Sequence, residues 1–350
     1  MLCGFARQHL AGPPAPFRTG LRPTPHMRFN RLDLNLLVAL DTLLDECSIT
    51  RAAERLNLSQ SATSNALARL RDYFEDELLV QVGRRMEPTP RAEGLRGAVR
   101  DVLMRVDSTI AAQPRFDPAQ TSRRFHIIAS DYTQLVLGPH LMSLAQAQGC
   151  TAEIEFRPQV NNPQRDLERG EADLLIIPHR FTSPEHPCET LYEDGFVCVV
   201  WQGSVLAQGT LTRMRYETAR HVMMVPPNAG QSESYEAMLV RQSGIQRRYA
   251  VLTHSFGSVP AMVVGTDFIA TVHARMAHVL RLAWPLAIRP LPVALPAMPQ
   301  SVQWHKYRSQ DPGLVWLLDL FRAAVRRLDA QIAAEGGLLP TPGHHPHTHT

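Results

Sequence analysis

The first hundred residues carry apolar positions at helical spacing, and the chain beyond residue 122 carries short apolar runs that alternate with helix-length stretches. Leu34, Leu37, Val38, Asp41 and Leu44 are spaced for one face of a helix over Asp33 to Cys47, with only Asp41 polar. Thr50 suits the N-cap of a second helix whose inward face is Ala52, Ala53 and Leu56. Asn57-Leu58 makes the turn, and Ser59 caps a third helix. On a wheel, Thr63, Ala66, Leu67, Leu70 and Phe74 fall in one arc, the core face. The opposite arc holds Ser61, Ser64, Asn65, Ala68, Arg69 and Asp72.

That outer face is slender and rich in donors and acceptors near its N-terminus. It suits a helix that enters a DNA major groove, where small polar side chains let the backbone approach and read base edges. A helical hairpin with an unremarkable polar surface is the alternative. Next, "LLVQVGRRMEPTP" has an apolar run, Gly83, Arg84 and Arg85, then Pro88 and Pro90. It predicts a β-hairpin wing touching phosphates. Leu95, Val99, Val102, Val106 and Ile110 then recur at steps of four, three, four and four, the seam of a dimerising linker helix.

From Ser122 the pattern turns to β and α in alternation. "RRFHIIAS", "TAEIEFRP", "ADLLIIP", "FVCVVW", "HVMMVP", "YAVLTHS", "DFIATV" and "SVQWHKY" are candidate strands, with helices between several of them. The fold class is α/β overall.

Charge adds little. The formal net charge is +3, and Lys306 is the lone lysine. Met27 to Arg115 holds 13 Arg against 13 acids, so DNA binding in this region must come from patterning. The acids Asp72, Glu75, Asp76 and Glu77 follow the proposed reading face; Arg84, Arg85 and Arg91 come later. Five cysteines (Cys3, Cys47, Cys150, Cys188, Cys198) lack CxxC spacing and read as reduced thiols. No apolar run is long enough to span a bilayer, which points away from a membrane partner. Residues 1–26 hold three Arg, no acid and many Pro and Gly. They read as a disordered extension or a start assigned too early, with Met27 as the functional start. Residues 332–350 read as a disordered tail whose His residues bind no dedicated metal.

"DLNLLVALDTLL", "LSQSATSNALARLR", "PTPRAE" and "FDPAQTSRRFHIIASDY" resemble the LysR-type transcriptional regulators, in the branch that holds the nodulation regulator NodD and the aromatic-catabolism regulator NahR. The resemblance runs from about Met27 to Gln331. It implies a winged helix-turn-helix DNA-binding domain at 27–91, a linker helix and hinge at 92–121, and an effector domain at 122–331. "DLERGEADLLIIP" resembles the matching segment of periplasmic-binding-protein-like folds, which have two α/β lobes with ligand between them. Lobe I is expected at 122–195 plus 297–331 and lobe II at 196–296. Two departures from the family are Ser61, where many members have Pro, and Val82, where many have Arg.

The expected DNA contacts are Thr50 and Arg51, then Ser59, Gln60, Ser61, Ser64, Asn65 and Arg69, with Arg84 and Arg85 on the wing. Ligand clefts of this kind are lined by strand C-termini and helix N-termini. The candidates are Ser130, Tyr132, Thr133 and Pro178 in lobe I, and His221, Gln231, His254 and Phe256 in lobe II. Phe256 and Tyr132 would pack on a ring. His221 is equally readable as a satisfied core histidine, and Asp131 as a helix N-cap clear of the ligand. The branch implies an aromatic inducer: a salicylate-like acid, a chlorinated phenol or hydroquinone, or a flavonoid. It also implies an activator that engages promoter DNA and RNA polymerase as a homodimer or dimer of dimers (a homotetramer), in the cytoplasm, with no cofactor.

Catalytic signatures are lacking. "GQSES" misses the second Gly of a nucleophile elbow, no HExxH or P-loop occurs, and His221, Ser232 and Asp267 match no triad template. The competing readings are a solute-binding protein of the same two-lobed fold and an α/β hydrolase. Residues 27–91 and the lack of an export signal oppose the first; the missing elbow opposes the second.

Overall fold

The computed structural model describes residues 33–110, 115–159, 162–226 and 234–336. The chain divides into two compact units, one ending at Val99 and the other starting at Arg100.

In the first unit, α1 (Leu34–Glu46), α2 (Ile49–Leu56) and α3 (Gln60–Phe74) form a three-helix core, followed by β1 (Leu79–Val82) and β2 (Arg85–Pro88). Asp33 caps α1, and Cys47 closes it in the left-handed region. The cap of α2 is Ser48, whose side chain accepts from the Arg51 N–H; Thr50 lies inside the helix, too late to cap it. The buried face of α1 is Leu36, Leu37, Leu40, Leu43 and Leu44, while Leu34 and Val38 are 51% and 43% exposed. The helix is apolar around much of its girth, so packing rather than period chose the inward stripe. In α3, Thr63, Leu67 and Leu70 are buried, with Ala66 and Phe74 half-buried, and the opposite arc is exposed throughout.

The hairpin pairs β1 and β2 antiparallel with Val82 opposite Arg85, leaving Gly83 and Arg84 as a two-residue turn. Gly83 sits at φ +64°, the left-handed backbone that this tight turn requires and that glycine adopts freely. The wing is fixed at its base. Asp76 Oδ1 accepts from the Leu78 N–H at 2.7 Å and the Thr89 hydroxyl at 2.6 Å. Arg71 donates to the carbonyls of Glu77 and Leu79, both at 2.8 Å. These bonds hold Leu78 at φ +59°, an unfavourable backbone for a bulky residue.

α4 (Pro90–Ile110) starts in the first unit and ends in the second. The proposed seam is uneven along it. Val99 is buried, Leu95 and Val106 are half-buried, and Val102 is 44% exposed; the Ile110 side chain lies outside what the structure describes.

The second unit contains two five-stranded sheets. The first has the order β4 (Glu153–Arg157), β3 (Arg124–Ala129), β5 (Leu174–Pro178), β12 (Met298–Gln303) and β6 (Cys188–Asp194). Strands β3, β4 and β5 are parallel; β12 runs antiparallel to both neighbours. The second sheet has the order β11 (Leu286–Pro290), β7 (Phe196–Trp201), β10 (Phe268–His273), β8 (Arg220–Met224) and β9 (Arg248–Thr253). The chain passes from the first sheet to the second at Gly195 and returns between Pro290 and Met298.

Helices α5 (Asp131–Ala147) and α11 (Pro312–Ala334) pack together over the first sheet, burying Phe125, Ile127, Leu174, Ile176, Leu317 and Phe321. On its other face Ile128, Leu167, Ala172, Leu175 and Ile177 form a second layer below α6 (Pro163–Glu168). Around the second sheet lie α7 (Arg213–Thr218), α8 (Tyr235–Gln242), α9 (Val259–Val263) and α10 (Ala274–Ala283). Gly170, at φ +69°, makes the turn between α6 and β5.

Seven of the eight expected strands appear with ends shifted by a residue or two. "SVQWHKY" is displaced: its strand begins at Met298 and stops at Gln303, and Lys306–Arg308 form a 3₁₀ turn. Strands β6 and β11 were not anticipated. The expected tail from 332 is shortened, because α11 continues to Ala334. Residues 1–32 and 337–350, which carry the remaining extension and tail expectations, lie outside the described residues. Cys47, Cys150, Cys188 and Cys198 are unbridged, and no described helix is long and apolar enough to cross a membrane.

Candidate functional site

On the first unit the exposed arc of α3 begins at its cap. Ser59 Oγ accepts from the Ala62 N–H at 3.1 Å and lies 3.0 Å from Ser61 Oγ. The Thr63 hydroxyl, fully buried, donates back to the Ser59 carbonyl at 3.2 Å and locks the first turn. Gln60, Ser61, Ser64, Asn65 and Arg69 are exposed beyond it, as are Arg84 and Arg85 on the wing. Thr50 and Arg51 are exposed on the first turn of α2. Arg51 also pairs with Glu46 at 3.2 Å, which holds its guanidinium toward the end of α1. Asp45, with its carboxylate buried, pairs with Arg55 at 3.3 Å and Arg96 at 3.2 Å, so its charge is neutralised where it stands.

In the second unit a cavity of about 390 Å³ opens between the two sheets. Its walls from the first lobe include Ser130, Asp131, Tyr132, Ile177, Pro178, Phe181, Met298 and Gln300. From the second come Met224, Ser234, Tyr235, Glu236, His254, Ser255, Phe256 and His273. Strand ends and helix starts supply most of these residues because the C-termini of parallel strands converge there. Tyr132 stacks on His273 with ring centroids 4.0 Å apart and meets Phe256 edge-on at 6.0 Å. Phe181 and Tyr235 meet edge-on at 6.4 Å.

Five expected ligand residues line this cavity: Ser130, Tyr132, Pro178, His254 and Phe256. Ser130 is the N-cap of α5, its Oγ accepting from the Thr133 N–H. His254 Nδ1 donates to the Val225 carbonyl at 2.9 Å, which fixes the orientation of the ring at the cavity. Gln231 lies outside the described residues.

Two expectations are corrected. His221 is fully buried, its Nε2 2.8 Å from the Tyr216 carbonyl, and it does not line the cavity. It stands at the N-terminal end of β8, the wrong end for a cleft built from strand C-termini. Burial lowers its pKa to about 4, so it is a neutral core histidine. Thr133 is also fully buried and lies one bond behind the wall, accepting from Gln300 Nε2 at 3.2 Å. The expected N-cap role of Asp131 falls to Ser130. Asp131 instead bridges the lobes, its Oδ2 accepting from the Ser255 hydroxyl at 2.8 Å and the Gly257 N–H at 3.2 Å.

Not anticipated from the sequence were Gln134, Gln159, Tyr235, Glu236, Gln300 and His273 on the cavity wall, and Asp194, which bonds the wall residue Tyr132. Gln300 and His273 line the cavity; both are buried. Asp194, on the strand that leaves the first lobe, accepts from the Tyr132 hydroxyl at 2.5 Å and sits 3.6 Å from the Arg275 guanidinium. Burial raises its pKa to about 6 against the pull of Arg275 and Tyr132. His273 had a readable signal, a histidine at the C-terminal end of the apolar run "DFIATV". Gln300 had a weaker one, a polar residue just ahead of the candidate strand "SVQWHKY".

Of His221, Ser232 and Asp267, Ser232 lies outside the described residues, and the other two are engaged elsewhere. His221 is bonded to Tyr216, and Asp267 accepts from Ser204 Oγ at 2.8 Å and the Val205 N–H.

The family model described as "Bacterial regulatory helix-turn-helix protein, lysR family" matches residues 34–93, and "LysR substrate binding domain" matches 118–326. Nodulation protein D 2 of Bradyrhizobium elkanii is 38% identical over 302 residues, covering 86% of this chain and 91% of its own. Nodulation protein D 1 of Mesorhizobium japonicum is 39% identical over 302 residues, covering 86% and 96%. Among solved structures, the probable transcriptional regulator PA0477 of Pseudomonas aeruginosa superposes with TM-score 0.56 at 29% identity, covering 85% of this chain and 98% of that one. A full-length OxyR variant of the same organism gives TM-score 0.62 at 17% identity, covering 84% and 95%, a likeness of fold. The helix-turn-helix and wing of the first unit and the two-sheet second unit fall within these two matched spans: the chain belongs to the LysR family of DNA-binding transcriptional regulators and is not an enzyme.

Proposed function

We propose that this regulator is a promoter activator switched by a small aromatic inducer held between its lobes. The observation that carries the reading is the cavity wall: each lobe contributes two aromatic rings, Tyr132 and Phe181 from one and Tyr235 and Phe256 from the other. A ligand clasped by both lobes binds the closed arrangement better than an open one, and only such differential affinity can switch a protein. The relatives named nodulation protein D support a regulatory role within the same branch.

The working boundaries of this reading are a DNA-binding domain over 27–91, a linker helix and hinge over 92–121, and an effector domain from 122. Lobe I takes 122–195 and the chain after 297, and lobe II takes 196–296. On the DNA side, Gln60, Ser61, Ser64, Asn65 and Arg69 read base edges, Ser59 and Thr50 take phosphate with Arg51, and Arg84 and Arg85 follow the backbone from the wing. The exposed polar arc of α3 supports this division. The protein works in the cytoplasm as a homodimer or dimer of dimers and recruits RNA polymerase.

The test is a gel-shift on the DNA flanking its own gene, followed by a reporter on that promoter titrated with a panel of aromatic compounds. A specific shift with a saturable reporter response is expected. A specific shift with no response to any aromatic, while a non-aromatic metabolite induces, overturns the inducer class.

A further inference from the structure

Most polar groups around the cavity are already satisfied. Asp131 is held by Ser255 and Gly257, and Glu236 is paired with Arg247 at 2.5 Å. Two groups are not. Gln300 is 1% exposed and starts a bulge in β12, between Gln300 and Ser301, that re-aims the strand's side chains. Its Nε2 donates to Thr133, which leaves Oε1 buried with no hydrogen-bond partner. His273 is 5% exposed and stands at the N-cap position of α10, yet its side chain makes no capping bond. Its Nδ1 is likewise buried without a partner. Native proteins rarely leave buried polar atoms orphaned, so each of these two calls for a partner, and both belong to residues that line the cavity.

We propose that Gln300 of lobe I and His273 of lobe II together select the inducer through a hydroxyl group it carries, and reject a carboxylate at the same place. This rests on the cleft being the inducer site. Gln300 Oε1 can only accept, so its partner must donate. The imidazole offers one acceptor or one donor according to tautomer, and a hydroxyl serves either. Burial lowers the His273 pKa to about 3, so the ring offers no positive charge to an anion. Among the described residues that line the cavity there is no Arg or Lys, while Asp131 and Glu236 are both present. Arg180 lies over the Phe181 and Tyr235 rings, at 5.2 and 5.7 Å, outside the lining. A buried carboxylate would therefore lose its hydration, meet an acceptor and face the Asp131 carboxylate with no cation among the described lining residues to offset it. The ligand class is an uncharged hydroxylated aromatic.

The experiment is calorimetric titration of the full-length protein with three probes on one skeleton: 4-phenylphenol, 4-methoxybiphenyl and biphenyl-4-carboxylate. Wild type should bind the phenol about ten-fold tighter than the ether, the worth of one buried hydrogen bond, and the carboxylate most weakly. Gln300→Met and His273→Phe keep the side-chain volume and the stacking, respectively. Each should shrink the phenol-over-ether preference to about three-fold or less, a ratio that cancels any change common to both probes. Circular dichroism and a normal gel-shift verify that the variants are folded. A preference that survives in both variants overturns the proposal, as does a wild type that fails to bind the phenol or binds the carboxylate equally well. Ile177→Trp, which fills the cavity, should abolish binding of all three probes. If it leaves phenol binding intact, the cleft reading itself fails. If it blocks the probes while Gln300→Met and His273→Phe change nothing, the cleft stands and this selection mechanism falls.

Discussion

Asp131 and Ser255, 124 positions apart, join the two lobes through a hydrogen bond of 2.8 Å across the mouth of the cavity. The carboxylate also receives the Gly257 N–H, so one side chain of lobe I holds the start of a 3₁₀ turn in lobe II. That turn carries Phe256, a cavity wall. Asp131→Ala should free the turn and make lobe closure less favourable. The loss of a charge-assisted, partly exposed contact is about 1–2 kcal/mol, a shift of roughly 5- to 30-fold in the half-saturating inducer concentration. Gel-shift without inducer should be normal. A reporter titration that superposes on wild type would remove the bridge from the switching mechanism.

The two parts of the DNA-binding unit should fail differently. Asn65→Ala and Ser64→Ala remove side chains from the exposed arc of α3 and should each cost about 1–3 kcal/mol of specific binding, with little effect on random DNA. Arg84→Ala, on the wing turn, should weaken binding to every sequence and flatten its salt dependence. Titrations against cognate and scrambled duplexes at two salt concentrations separate these outcomes. The assignment is reversed if Arg84→Ala alters base preference and Asn65→Ala does not.

The helical arc of α3 was legible because its period is local: five inward positions and six outward ones follow from 100° per residue. The buried strands were legible as apolar runs. Strand β6 escaped because "CETLYED" holds three acids and no continuous apolar run, and β11 because Pro290 and Pro292 crowd a five-residue run. The cleft was half legible. His221 and His273 are both histidines on neighbouring parallel strands, yet one stands at the N-terminal end of β8 and the other at the C-terminal end of β10. Only the second end faces the cavity, a distinction that strand direction decides. Gln300 depends on a bulge and on Thr133 from another element, which no local pattern reveals. Asp131 shows the same limit: its bridging role needs a partner 124 residues away.

Assembly can be tested at one position of the linker helix. Val99 is already buried, so replacing it would test folding rather than association. Val102, by contrast, leaves an apolar side chain 44% exposed. If α4 pairs with a second copy, Val102→Asp places a charge in that contact and should split the dimer, with loss of two-half-site DNA binding. Analytical ultracentrifugation reads this directly. A variant of unchanged mass would move the dimer contact off Val102.

Stability should fall on mild acidification, and the buried histidines give the reason. His221, His273 and His305 are nearly inaccessible, and burial lowers their pKa values to about 4, 3 and 4. In the unfolded chain each titrates near 6.5. Between that value and the folded ones the unfolded state binds more protons, so stability present above pH 6.5 is lost as pH falls. From pH 7 to pH 5 each histidine contributes a loss of up to about 2 kcal/mol. Asp194 opposes this. Its folded pKa is raised to about 6 above an ordinary 3.8, so the folded state holds its proton more tightly and gains stability as pH drops through that window. Burial also raises the Glu236 pKa, which acts in the same sense as Asp194; the three histidines set the expected sign, and the melting temperature should decline from pH 7 to pH 5. Asp194→Asn removes the opposing titration while keeping an acceptor for Tyr132, so its decline over the same range should be steeper. A melting temperature that rises on acidification, or an Asp194→Asn curve shallower than wild type, would contradict this balance.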